Sequence, residues 1–137
     1  MIGLIYGPKG SGKTKEILRR ANDALEVSKG NIVYITDTAE YTRSIPTAIR
    51  YVNAAEYLPE GGKITEEALL GFVKGVIASN SDVTEIFIDG LARMLGEGAD
   101  DLEEFFVRLD GLSDRAGVQF CISLTCDKLP KFLKKFS

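Results

Sequence analysis

The residues best equipped for chemistry lie near the start of the chain, in "GPKGSGKT" at positions 7–14. Gly7, Gly12, Lys13 and Thr14 satisfy G-x-x-x-x-G-K-[ST], the spacing whose backbone N–H groups cradle nucleotide phosphates. Phosphate oxygens concentrate negative charge, and a ring of peptide N–H groups closed by the positive end of a helix receives them. Gly7, Gly10 and Gly12 let the backbone approach and accept dihedrals that side chains resist. Lys13 is spaced to reach the terminal phosphates, and the Thr14 hydroxyl to ligate Mg²⁺. The candidate binding loop is therefore Gly7, Pro8, Lys9, Gly10, Ser11, Gly12, Lys13, Thr14 and Lys15. A glycine-rich turn before a basic helix is the competing reading.

A metal bound to phosphates calls for an acid at the carboxyl end of another strand, where open α/β sheets bind ligands. Asp89, closing "IFID" at 86–89, is that acid. A turn-forming aspartate at a strand end is the alternative. Glu85 lies four residues before Asp89, roughly 13 Å along a strand, too far to assist it. Asp37 and Glu40, just past the second apolar run, are the candidates for activating a water, against a plain role in turn formation. Arg43, Arg50 and Arg93 are candidate arginine fingers acting across a subunit interface.

These residues need elements to hold them. Ile2, Leu4, Ile5 and Tyr6 predict a strand entering the loop, and 15–27, with Ile17, Leu18, Ala21, Ala24 and Leu25, a helix leaving it. Ile32 to Thr36 reads as a buried strand, 37–47 as a loop, and Ile49 to Val52 as a short third strand. After a turn at 58–62, Thr65 opens a helix with a stripe of Ala68, Leu69, Phe72, Val73, Val76 and Ile77. Gly71 and Gly75 in that helix are expected to permit close packing on the sheet. A strand over 83–90 and another over 118–125 flank a helix carrying Leu102, Phe105, Phe106, Leu109 and Leu112. Asp100 and Glu103 stand at capping-box spacing ahead of it. Asp100, Asp101, Glu103 and Glu104 read as complements to a helix dipole rather than as a metal site. In the terminal "DKLPKFLKKF", a short helix is expected: Leu129, Phe132, Leu133 and Phe136 form one face and four lysines the other. Either the apolar face packs on the sheet and the lysines are solvated, or the helix docks on an acidic partner or anionic surface. Strands alternating with helices imply a parallel sheet with crossovers.

Composition narrows the chemistry. The chain has 137 residues, a formal net charge of −3 and no histidine, so imidazole bases and histidine metal sites are excluded. Any reaction must use carboxylates, lysines, hydroxyls and Mg²⁺. The balance of charge provides no global basic field and no clear nucleic-acid surface. Cys121 and Cys126 are spaced for neither a zinc pair nor a redox motif, and are expected reduced and packed. With no apolar run near the roughly 20 residues of a membrane span and no signal-peptide pattern, a cytoplasmic location is expected.

Taken together, the two motifs resemble those of P-loop NTPases, with Walker A at Gly7 to Thr14 and Walker B at Ile86 to Asp89. The resemblance extends over the whole chain. It implies an α/β, three-layer fold, a mostly parallel sheet of about five strands flanked by helices, forming one nucleotide-binding domain over 1–137. It also implies ATP and Mg²⁺ as ligands, with Thr14 and Asp89 at the metal and Lys13 and Asp89 in catalysis; Asp37 joins them as the candidate base from its place past the second strand, not from the resemblance. Guanine-nucleotide switches continue the Walker B acid as D-x-x-G, whereas Gly90, Leu91 and Ala92 follow here. Their [NT]-K-x-D reader is matched only partly by "TCDK" at 125–128. A transporter LSGGQ signature, an arginine-rich lid and the zinc ribbon of thymidine kinases are all missing. What remains is similar to RecA-like small stand-alone ATP-binding proteins, some labelled twitching-motility ATPases, although pilus motors carry further domains and histidine motifs. In RecA-like ATPases a glutamate often follows the Walker B aspartate, but position 90 is glycine. A polar sensor ends the strand after Walker B, a role open to Ser123 or Thr125, with ordinary strand-end hydrogen bonding as the alternative. The expected activity is Mg²⁺-dependent ATP binding with slow or partner-stimulated hydrolysis. The alternatives are an ATP-binding switch or adaptor and a small-molecule phosphotransferase. The expected partners are the nucleotide and either an unidentified protein or further copies of the chain.

Overall fold

Each apolar run read as a strand is one in the computed structural model, which describes residues 1–59 and 61–137. Strands β1 (Ile2–Gly7), β2 (Asn31–Thr36), β3 (Ile49–Asn53), β4 (Val83–Ile88) and β5 (Gln119–Thr125) form one sheet in the order β1-β5-β4-β2-β3. All four neighbouring pairs are parallel, so every strand delivers its carboxyl end to the same edge. The turn expected at 58–62 includes Glu60, which lies outside the described residues.

Side chains alternate across a strand, and here both faces are covered. Helix α1 (Lys13–Val27) buries Ile17, Ala21 and Ala24 against Ile5, Ile32, Tyr34, Phe87 and Cys121. On the opposite face, α2 (Glu66–Ser79) and α4 (Glu103–Ala116) cover Leu4, Val33, Ile35, Ile86, Ile88, Phe120 and Ile122. The result is a three-layer α/β arrangement. Each fully buried Leu, Ile or Phe stabilises it by roughly 1.5–3 kcal/mol relative to exposure.

The connection from β2 to β3 has no α-helix. Residues 37–48, about the dozen a parallel crossover requires, pass over the α1 face with a 3₁₀ turn at Thr42–Ser44, and Ile45 is buried there. Other departures from the sequence reading have identifiable causes. The stripe on α2 is centred on Leu69, Leu70 and Val73, while Gly71 and Gly75 lie on the exposed side with open space where a Cβ would go, so they serve no close packing. The capping box at Asp100 and Glu103 does not form: Asp100 falls in a 3₁₀ turn (Ala99–Asp101), and Leu102 at the N-cap has no side-chain cap. A short helix α3 (Leu91–Leu95), unforeseen because its apolar residues follow a glycine directly, leaves β4. The terminal segment is a 3₁₀ helix (Lys131–Phe136) behind Pro130, with Leu133 fully buried.

Candidate functional site

The loop at 7–14 joins β1 to α1 at the carboxyl edge of the sheet. Gly12 is the N-cap at φ +88° and Gly10 has φ +79°, left-handed values that glycine adopts without a Cβ penalty. No side chain caps α1. Its first backbone bond runs from Glu16 N–H to Gly12 O at 3.1 Å, so the amides of Lys13, Thr14 and Lys15 precede the helical ladder and are directed out of the helix end. Pro8, Lys9, Ser11 and Lys15 are exposed along the same loop. Lys13 Nζ folds back to donate to Pro8 O at 2.7 Å and lies 3.4 Å from Ser11 Oγ, which places the ammonium within its own loop.

Strand parity brings the second set of residues to the α1 face. On β4, Phe87 points to that face, so Asp89 two residues on does as well. Cys121 on β5 and Tyr34 on β2 share it, and so does Ser123. Asp89 is 1% exposed and its carboxylate is surrounded by hydroxyls. Ser123 Oγ donates to Oδ1 at 2.5 Å, Tyr34 Oη donates to Oδ2 at 2.9 Å, and Thr14 Oγ1 lies 3.5 Å from Oδ1. The backbone is fixed too: Asp89 N–H donates to Ile35 O at 2.9 Å, Thr36 Oγ1 to Asp89 O at 3.2 Å, and Gly90 N–H to Ser123 Oγ at 2.7 Å. Among the described residues, Asp89 has no salt-bridge partner. Thr14 in the first turn of α1 and Asp89 just past β4, 75 positions apart, are thus brought together, with Ser123 on β5, the strand between β1 and β4. Thr125, the other sensor candidate, is exposed at the end of β5 beside Gly7.

Tyr34 is the residue that sequence reasoning missed. The signal was present: a tyrosine in a fully buried strand needs a partner for its hydroxyl.

Asp37 stands just past β2, and both its oxygens are taken by Arg93 of α3, at 2.7 and 3.1 Å from Nη2 and Nε. That pairing, made foremost through the hydrogen bonds, holds the Arg93 guanidinium more firmly protonated than usual. The guanidinium lies against Gly90: a Cβ built there would stand 2.3 Å from Arg93 Nη2, and Gly90 has φ +83°. Position 90 therefore has no room for a glutamate while this ion pair stands. Glu40 is exposed, as are Arg43 and Arg50 on the β2–β3 connection and the edge strand, and neither arginine makes a salt bridge among the described residues. Glu85 lies near the opposite end of β4, where burial raises its carboxyl pKa.

Two cavities lie away from the loop. The larger, about 830 Å³, follows the β3 edge past Ile45, Tyr51, Tyr57, Phe72 and Val76. The other, about 480 Å³, is rimmed by Glu66, Glu67, Glu97 and Glu104. The described residues contain no group of three or more His, Cys, Asp or Glu arranged to hold a metal, and no helix long and apolar enough to cross a membrane. Both cysteines are free, Cys121 buried and Cys126 half-buried beside Gly7, to whose oxygen its N–H donates at 3.0 Å. No protein-family model matches the chain, and no curated protein does.

Proposed function

We propose that the chain is a P-loop NTPase of RecA-like character that binds ATP with Mg²⁺ and hydrolyses it slowly or only with a partner. The observation that carries this reading is the meeting of Thr14 and Asp89 at the uncapped end of α1. The donor set suits Mg²⁺, a hard cation commonly held by one or two carboxylates together with substrate phosphates rather than by an all-protein cage. Asp89 is a buried carboxylate surrounded by neutral hydroxyls with no cationic partner among the described residues, an arrangement that favours a cation alongside.

In this reading the amides of Lys13, Thr14 and Lys15 receive phosphate oxygens, with Gly7, Pro8, Lys9, Gly10, Ser11 and Gly12 shaping the cradle. The Lys13 ammonium exchanges Pro8 O and Ser11 Oγ for terminal phosphate oxygens, a better-matched charge. Thr14 and Asp89 hold Mg²⁺, which when bound neutralises charge developing on the β- and γ-phosphates. Ser123 reaches Asp89 and Gly90 together, the position from which a polar group couples the metal-side acid to the end of β4.

Slow intrinsic turnover follows from what surrounds Asp89. Gly90 brings no carboxylate, and Asp37, the candidate base, has both oxygens bound by Arg93. Until that pair opens, Asp37 is not free to orient an attacking water, and Glu40, the other candidate, lies exposed on the connection beyond β2. Phosphate release by the purified chain, measured alone and beside small-molecule acceptors, tests this. The expected result is a rate well under one per second without acceptor stimulation. Turnover of many per second would overturn the slow-ATPase reading, and transfer to an acceptor would favour the phosphotransferase.

A further inference from the structure

We propose that Tyr34 is a positioning residue for the metal: by donating to Asp89 Oδ2, it leaves Oδ1 as the one carboxylate oxygen offered toward Thr14, so that Asp89 engages a cation through a single oxygen. The inference rests on the nucleotide reading above.

The two oxygens of Asp89 differ in their surroundings. Oδ2 accepts from Tyr34 at 2.9 Å, whereas Oδ1 accepts from Ser123 at 2.5 Å and keeps its remaining side toward Thr14, 3.5 Å away. The tyrosine is placed independently of Asp89. It is fully buried, and its ring stacks between Tyr51 at 5.8 Å and 15° and Phe87 at 6.4 Å and 22°. Register completes the fit: Tyr34 pairs with Phe87, two residues before Asp89 on the same face, and the length of a phenol spans that step.

A carboxylate restricted to one oxygen suits Mg²⁺, which demands near-octahedral geometry. Ca²⁺ takes more ligands and often uses carboxylates bidentately. Tyr34 is therefore a determinant of metal selectivity as well as of affinity.

The test measures the Mg²⁺ and Ca²⁺ concentrations that half-saturate ATP binding, using displacement of a fluorescent ATP analogue. Tyr34→Phe keeps the stacked ring and removes only the donor. It should raise the Mg²⁺ requirement by about tenfold, the usual scale for losing a group that orients a metal ligand, and narrow the preference for Mg²⁺ over Ca²⁺. Binding in EDTA should be unchanged. Tyr51→Phe, which removes the neighbouring hydroxyl bonded to Thr38 O, should leave both metal responses as they are. In an Asp89→Asn background, Tyr34→Phe should have no further effect, because it acts only through Asp89. Wild-type metal responses in Tyr34→Phe would overturn the inference and leave the nucleotide reading standing, and so would failure of this variant to fold. Absence of any metal-dependent ATP binding by the wild-type chain would instead remove the nucleotide reading and the inference with it.

Discussion

At the scale of single residues, the candidate site is a buried acid and a half-buried lysine brought to one helix end. Lys13 now rests on Pro8 O, and in the proposed complex it turns to phosphate. Lys13→Ala should therefore cost about 1.5–3 kcal/mol of triphosphate affinity, the scale of a charge-assisted hydrogen bond, or a ten- to hundredfold rise in Kd. Calorimetric titration of the folded variant checks this, and an unchanged Kd would take Lys13 out of the site. The residues that were legible in the sequence here, Lys13, Thr14 and Asp89, are those whose chemistry depends on short spacing or a strand end. Tyr34 and the Asp37–Arg93 pair were not legible as a set, because their meeting depends on strand order and register. Tyr34 reaches Asp89 because β2 lies beside β4, and Arg93 reaches Asp37 because α3 leaves that same β4 end through its N-cap, Gly90.

At the scale of elements, short apolar and β-branched runs located the five strands and the period-3.6 pattern the three long helices, since both signals are local. Side-chain roles that depend on which way a helix turns were harder. Gly71 and Gly75 were read as packing residues, yet both face solvent with nothing near a would-be Cβ. Replacing either with alanine should raise stability by about 0.5–1 kcal/mol, because alanine loses less conformational freedom in a helix than glycine. Denaturant melts of the two variants measure it, and destabilisation would mean the open face is covered. Helix α2 carries a second testable feature. Burial first, then the hydrogen bond with Glu97 and the charges of Glu97, Glu104 and Glu67, hold the Glu66 carboxyl up at about 7 rather than its ordinary 4.5. Between those values the folded chain binds more protons than the unfolded one, so this contribution to stability is complete below pH 4.5 and falls as pH rises through 7. Glu66→Gln should consequently melt higher than wild type at pH 8, with the advantage shrinking toward pH 5. Equal melting differences at both pH values would contradict the assignment.

At the scale of the whole molecule, the C-terminal segment belongs to the core. Leu133 is fully buried, Leu129, Phe132 and Phe136 pack on the same cluster, and Phe106 lies 6.5 and 6.0 Å from the Phe132 and Phe136 rings. The four lysines stay exposed, one of them, Lys135, 5.1 Å from the centre of the Phe136 ring. Deleting 127–137 should lower the melting temperature by about 10 °C or more, since each large apolar side chain contributes roughly 1.5–3 kcal/mol and each kcal/mol is worth several degrees in a domain of this size. Unchanged melting would make the segment a docking element instead. The proposed nucleotide site joins the layers of the molecule: β1, β4 and β5 present Gly7, Asp89 and Ser123 to the end of α1. Its central claim is that this junction holds ATP through Mg²⁺. Titration calorimetry of the full chain with ATP and with GTP, each in Mg²⁺ and in EDTA, tests that most directly. Saturable ATP binding that weakens in EDTA and exceeds GTP binding is predicted, whereas no heat with either nucleotide, or GTP binding as tight as ATP, would contradict it.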